Sequence, residues 1–461
     1  MFKLLRIQKE DHMKRKVFIC ICIIALIGTG LCLANGQKEE SADQVTLEYI
    51  YWGSPAEDAA VKQALAEFEA ANPTIKVEPM YLPGDLDGST YNAKMKALAV
   101  SNSLPDVGYF RPEEFGNYAE NGYFLKLDEL MARDGMDDSY LPQTWLKINN
   151  ATYGAYTAAE CQVMWYNRDV LKEAGVPTPP TDYKNAWSWD DFVTYLKMIT
   201  IDSKGLHPDD AGFNPKDIAR YGVSYDLWST MYYPSVWSNG GDIIDTDGKT
   251  VHVDTPETIE AFQNLADLMN VHHVMPRMTG GTNVSPLTML ANGQLGFYVT
   301  GQWTLLDLGA MKELNYGVAA LPILKEPAQI YVSGVNVVFN ATEHPEEAWT
   351  LQKWMMDPSK TLDLYTSGLW MPTKMSYYTD PEDLAKWLDN DVHPEGFKEA
   401  VVDSMAVSKN EPIMIKNINQ IWGDYLNAAV ESIWIGEKTA KQALTEAAEK
   451  IRKSGLLQGS Y

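Results

Sequence analysis

The side chains in surplus are the amphipathic aromatics, with 14 Trp and 25 Tyr against 12 Phe. Each joins an apolar face to a polar tip, which suits a wet cleft better than a dry core. Trp52, Tyr109, Trp165, Trp237, Trp303 and Trp370 all fall at the ends of predicted strands, and in open α/β sheets ligands collect at the carboxyl ends of strands. Any one of these rings could serve packing instead; as a set they point to a ligand site. The run "LGFYVTGQW", residues 295–303, reads as a buried strand that stops at Gly301 and then presents the indole of Trp303. A glycine there would let backbone and ligand approach closely.

Residues arranged for catalysis are harder to find. The seven histidines include no H-E-x-x-H spacing, and His272 and His273 are adjacent, so their side chains diverge and no metal is expected. "DIIDTDG" approaches a calcium-loop pattern, but Ile243 stands where the first carboxylate is needed, and the stretch reads as a turn. No G-x-S-x-G elbow, phosphate-binding glycine loop or dinucleotide fingerprint is present, so no cofactor is expected. Cys161 lies in an apolar run, where a buried structural thiol is expected. With 62 acidic residues, some pair could always act as glycosidase acid and base. A secreted glycoside hydrolase or lyase therefore stays open as the enzymatic alternative.

The totals bound the rest. A chain of 461 residues is long enough for two lobes, each with its own core. Lys14, Arg15 and Lys16 precede an apolar run over residues 17–27, the pattern of a secretory signal too short to span a membrane and stay. Residues 1–34 are therefore expected to be a leader, with 1–12 an upstream extension. Cleavage ahead of Cys32, which would then carry a lipid, and cleavage after Ala34 are both readable. Without those 34 residues the chain keeps 32 basic and 60 acidic residues, a formal charge of −28. That sign disfavours a nucleic acid or anionic membrane as partner. Cys161 is the one cysteine beyond the leader, so no intramolecular disulfide is expected and the fold must rest on its core.

The elements that must position the aromatics follow from periodicity. "VTLEYIYWG" alternates as a strand, and Ser54, Pro55 and Glu57 then give the cap, first position and capping box of a helix. Val61, Leu65 and Phe68 share one helix face, Asn72-Pro73 stops it, and "TIKVEPM" returns as a strand. This βαβ grammar recurs: a helix over 92–100, the strand "LPDVGYF", the strand "QVMWYN" and a helix over 169–175. "GGDIIDTDGKTVHV" reads as a hairpin turning at Asp247-Gly248. Late helices begin at Pro345 and around Ala440, the latter burying Leu444, Ala447 and Ile451. The fold class is α/β, with no clean break into sequential domains.

Seven stretches arrive in an order that resembles the extracellular solute-binding proteins of bacterial ABC importers, in the carbohydrate-binding family that includes the maltose-binding protein. They are "YIYWGSPAEDAAVKQALAEFEAANPTIKVE", "LPDVGYFRPEEFGNYAENGYFLKLDEL", "YGAYTAAECQVMWYNRDVLKEAGVPTPP", "NGQLGFYVTGQW", "YGVAALP", "SGVNVVFNATEHPEEAW" and "GLWMPT". The resemblance implies a type II periplasmic-binding-protein fold of two lobes joined by a hinge. It implies lobe 1 from 35–158 and 328–375, and lobe 2 from 159–327 and 376–461. It implies a sugar or oligosaccharide ligand, a membrane permease as partner, a monomer, and a place in the periplasm or at the cell surface. By motif it makes Glu160 and Glu113 acceptors for sugar hydroxyls and Trp303 a stacking platform, with Trp370 near another aromatic of the cleft. Trp52, Trp237, Asp242 and Asn336 follow from local context. A sugar-sensing receptor for chemotaxis or signalling is the remaining alternative.

Overall fold

Ser54 begins the first helix as its sequence predicts. Its Oγ accepts from the backbone N–H of Glu57 at 3.2 Å, and the helix runs Pro55–Ala71 to a stop at Asn72. Val61, Leu65 and Phe68 are buried along one face, each such side chain contributing roughly 1.5–3 kcal/mol relative to exposure. The computed structural model describes residues 44–84, 89–136, 139–277 and 284–461. The leader, Cys32 and Ala34 lie outside the described residues.

The described residues form the strands β1 (Val45–Gly53), β2 (Ile75–Pro83), β3 (Val107–Phe110), β4 (Trp145–Ile148), β5 (Ala151–Tyr156), β6 (Gln162–Asn167), β7 (Ile201–Asp202), β8 (Ile218–Tyr225), β9 (Leu295–Gly301), β10 (Tyr316–Ala319), β11 (Gln329–Tyr331), β12 (Val335–Val338) and β13 (Ser408–Asn410). One sheet has the order β2-β1-β3-β12-β5-β4, a second β10-β6-β9-β8-β7, and β11 pairs with β13. β1 and β3 run parallel, with Ile50 opposite Gly108, and β8 and β9 run parallel, with Val223 opposite Phe297. The chain leaves the first sheet after β5, builds the second, and returns to set β12 antiparallel between β3 and β5. These crossovers make the two sheets interdependent.

Around the second sheet, Phe192, Leu196, Val223, Phe262 and Phe297 pack with Leu444, Ala447 and Ile451 of the Ala440–Lys453 helix. The late helix thus closes the core of a sheet begun far earlier in the chain. Ala348, Leu351 and Met355 of the Pro345–Met355 helix are fully buried, as their spacing predicts. Cys161 is buried, and burial pushes its thiol up. The expected hairpin is reduced to its turn. Gly248 takes φ +67° and donates to the Asp245 carbonyl at 2.8 Å, but Ile244 and Val251 form only an isolated bridge.

Candidate functional site

The parallel strands of both sheets end at one cavity of about 730 Å³, a size ordinary for a small-molecule cleft. β1 delivers Trp52, β3 delivers Tyr109 and then Arg111 and Glu113, and β8 leads into Asp226 and Trp228. β9 contributes Tyr298 and Thr300, and the turn after it Trp303. The segments between the sheets add Glu160 and residues 332–334, while Glu411 follows β13.

Aromatic rings organise one wall. Trp52 and Tyr109 stack at 4.0 Å with their planes 6° apart, so one indole face is already covered. The Arg111 guanidinium lies 5.3 Å from the Trp52 ring centre and donates to Glu113 Oε1 at 3.0 Å. Behind Tyr109 stands Trp370, 5.7 Å between ring centres. Across the cavity, Trp303 is half-buried against the second core. Its indole occupies the space where a side chain at Gly301 would be, since a Cβ there would lie 2.2 Å from the ring. Gly334 does the same for Tyr109, with 1.9 Å between its would-be Cβ and the Tyr109 ring.

Carboxyl groups supply the remaining chemistry. Glu160 is 4% exposed, and burial, followed by the nearby Glu57 carboxyl, pushes it well above the usual range against an opposing hydrogen bond from Ser333. Burial also raises Glu57 to about 8, aided by Asp307 and opposed by the backbone N–H of Ser54. Burial and Glu113 raise Glu411, which accepts from the Tyr156 hydroxyl at 3.3 Å and is drawn back by Arg111. Asp226 accepts from Tyr298 at 2.8 Å and from Thr300 at 2.5 Å, yet burial still raises it. Asp307 is raised by burial too. Glu113 Oε2 is buried with no hydrogen-bond partner among the described residues.

Of the residues expected from sequence, Trp52, Tyr109, Glu113, Glu160 and Trp303 line this cavity, and the structure places the others elsewhere. Gly301 has φ −73°, an ordinary backbone, and its small size accommodates Trp303 and not an approaching ligand. Trp370 is 1% exposed behind Tyr109, while its neighbour Leu369 reaches the cavity. Asn336 is fully buried in the middle of β12, accepting from the Tyr49 hydroxyl at 3.2 Å. Trp237 donates to Asp242 at 3.3 Å, a pair that lies outside the cavity lining. Sequence reasoning missed Glu57, Arg111, Asp226, Trp228, Tyr298, Asp307 and Glu411. Asp226 and Trp228 carried a readable signal, because they follow an alternating strand, "YGVSY".

A family model described as bacterial extracellular solute-binding protein matches residues 63–392. The chain belongs to that family. A Brucella abortus (strain 2308) protein named as a binding protein is 24% identical over 431 residues, covering 91% of this chain and 94% of that one. Among solved structures, the ABC substrate-binding protein of Listeria monocytogenes in complex with cycloalternan aligns with a TM-score of 0.75 at 23% identity, covering 89% of this chain and 99% of the other. The maltose/maltodextrin-binding domain of Bdellovibrio bacteriovorus bound to maltotriose aligns at 0.72 and 18% identity, with the same coverage of 89% and 99%. The solute-binding fold is therefore the two-lobed α/β architecture of periplasmic binding proteins. Among the described residues no helix is long and apolar enough to cross a membrane, and no group of three His, Cys, Asp or Glu could hold a metal ion.

Proposed function

We propose that this protein is the substrate-binding component of a carbohydrate ABC importer, taking a sugar or oligosaccharide between its lobes and delivering it to the membrane permease. The observation that carries the reading is the composition of the cavity: indoles of Trp52, Trp228 and Trp303 with buried carboxyl groups, at the strand ends of both sheets. Indole faces cover the apolar C–H faces of a pyranose, and carboxyl oxygens take its hydroxyl hydrogens. The ligands of the Listeria and Bdellovibrio proteins are saccharides, which supports the class. Glu160, Glu113 and Trp303 are the principal contacts.

In this reading one lobe is 35–158 with 328–375, the other 159–327 with 376–461, and hinge bending closes them on the ligand. The protein is a non-catalytic monomer, exported by the leader over residues 1–34 and held in the periplasm or at the cell surface, with or without a lipid on Cys32. Titration with mono- and oligosaccharides, followed by tryptophan fluorescence, tests it. Stoichiometric binding without turnover is expected, whereas hydrolysis of any saccharide would establish the glycosidase alternative.

A further inference from the structure

Tyr225, the last residue of β8, lies opposite Val299 of β9, and Asp226 follows it out of the sheet with its backbone N–H on the Val299 carbonyl at 2.9 Å. Its carboxylate is held at both oxygens. Oδ1 accepts from the Tyr298 hydroxyl at 2.8 Å and Oδ2 from the Thr300 hydroxyl at 2.5 Å, so the group cannot turn without breaking a bond. Thr300 is 1% exposed, and its hydroxyl lies 3.4 Å from that of Thr304, with Gly301 and Trp303 between the two threonines in the chain. The carboxylate is thereby fixed beside the turn that carries the Trp303 indole.

A carboxylate offers about four acceptor positions. Among the described residues the Tyr298 and Thr300 hydroxyls are the donors to the Asp226 side chain, one to each oxygen. A second position therefore remains on each oxygen, in a side chain that lines the cavity with Tyr298, Thr300 and Trp303. No cation competes for them: Arg111, the one cationic side chain among the described lining residues, donates to Glu113 at 3.0 Å beyond the end of β3. Nor are β8 and β9 in need of Asp226 to join them, since their backbones already pair from Tyr221 to Tyr225. Two oxygens held side by side, each with one acceptor position left, suit a pair of hydroxyl groups. Adjacent ring hydroxyls of a pyranose leave neighbouring carbons and can donate together to one carboxylate, each through a charge-assisted bond.

Resting on the carbohydrate reading above, we propose that Asp226 determines specificity by accepting two adjacent hydroxyls of the sugar unit that stacks on Trp303. Tyr298 and Thr300 are positioning residues that hold the carboxylate in plane for that pair. The unit seated there must carry both hydroxyls free, and a saccharide substituted or deoxygenated at either position is rejected.

The test is calorimetric titration of the full protein with glucose, galactose, mannose, maltose, cellobiose, maltotriose and raffinose, then with the monodeoxy derivatives of those that bind. Removal of either of two adjacent hydroxyls is expected to weaken wild-type binding about tenfold or more, as loss of one charge-assisted hydrogen bond allows. In Asp226→Asn the parent saccharide should bind about tenfold more weakly, and the two deoxy penalties should shrink to about threefold or less. The Tyr298 and Thr300 hydroxyls can accept as well as donate, so they still bond the new amide and the variant should fold. If it does not, Tyr298→Phe, which frees Oδ1 to turn, should shrink the same penalties. A merely structural Asp226 would lower parent and deoxy affinities together and leave their ratio unchanged. That result, or a wild type indifferent to deoxygenation at every adjacent pair, would overturn this proposal while leaving the carbohydrate reading intact. Binding of none of these saccharides would overturn both.

Discussion

The indole of Trp303 lies over the α-carbon of Gly301, so close that a Cβ at Gly301 would sit 2.2 Å from three ring atoms. The backbone there is ordinary, so the glycine is required by the tryptophan and not by a strained turn. Gly301→Ala should therefore displace the ring, at a stability loss of about 1–3 kcal/mol from overpacking. Saccharide affinity should fall with it. In a Trp303→Ala background the same alanine should cost little, and a double-mutant cycle of melting temperatures and affinities measures that coupling.

Gly334→Ala makes a parallel case on the first sheet, where the added methyl would meet the Tyr109 ring at 1.9 Å. Moving Tyr109 breaks its stack on Trp52. The variant should bind ligand more weakly and show a changed near-ultraviolet circular dichroism signal; a wild-type signal with full affinity would show that the stack does not shape the cleft.

Trp237→Phe and Asp242→Asn should leave saccharide affinity within about twofold, because this hydrogen-bonded pair lies outside the cavity lining. Trp237→Phe, which removes the indole donor, should lower stability by about 1 kcal/mol, whereas Asp242→Asn keeps an acceptor oxygen. Titration of both variants decides it, and a large loss of affinity would return the pair to the site.

The ligand-free protein should lose stability as pH rises from 6.5 to 8. Glu57 titrates near 8 folded and near its ordinary 4.5 unfolded, so in this window the folded state holds the extra proton and stability falls as that proton is lost. Glu160 and Glu411 act in the same direction. His393, lowered to about 4 by burial, acts oppositely but only below its ordinary 6.5. Because Glu57 is half-buried, its share is about 1 kcal/mol after allowing for solvent screening. Glu57→Gln should flatten the pH profile of the melting temperature; an unchanged slope would show that Glu57 is ionised in the empty cleft.

Local grammar made much of this fold legible. The Ser54 cap, the Pro345 helix and the buried face of the last helix follow from spacings within one element, and each forms as expected. The β12 insertion between β3 and β5 is set by contacts across roughly two hundred residues, and no local pattern announces it. At the site, strand ends were readable, but depth was not. Trp370 and Leu369 are adjacent in sequence, yet the tryptophan supports Tyr109 from behind while the leucine meets the cavity. Glu57 was readable only as a helix-capping residue, because its second environment is supplied by Glu160 and Asp307 from distant segments.

The most direct measurement is saccharide titration of the wild-type protein beside Trp303→Ala and Glu160→Gln, with each variant's melting curve and a product assay in the same samples. The proposed function predicts one-to-one binding without turnover in the wild type, and affinity reduced about tenfold or more in both variants while they remain folded. Turnover of the saccharide, or full affinity in both folded variants, would contradict it.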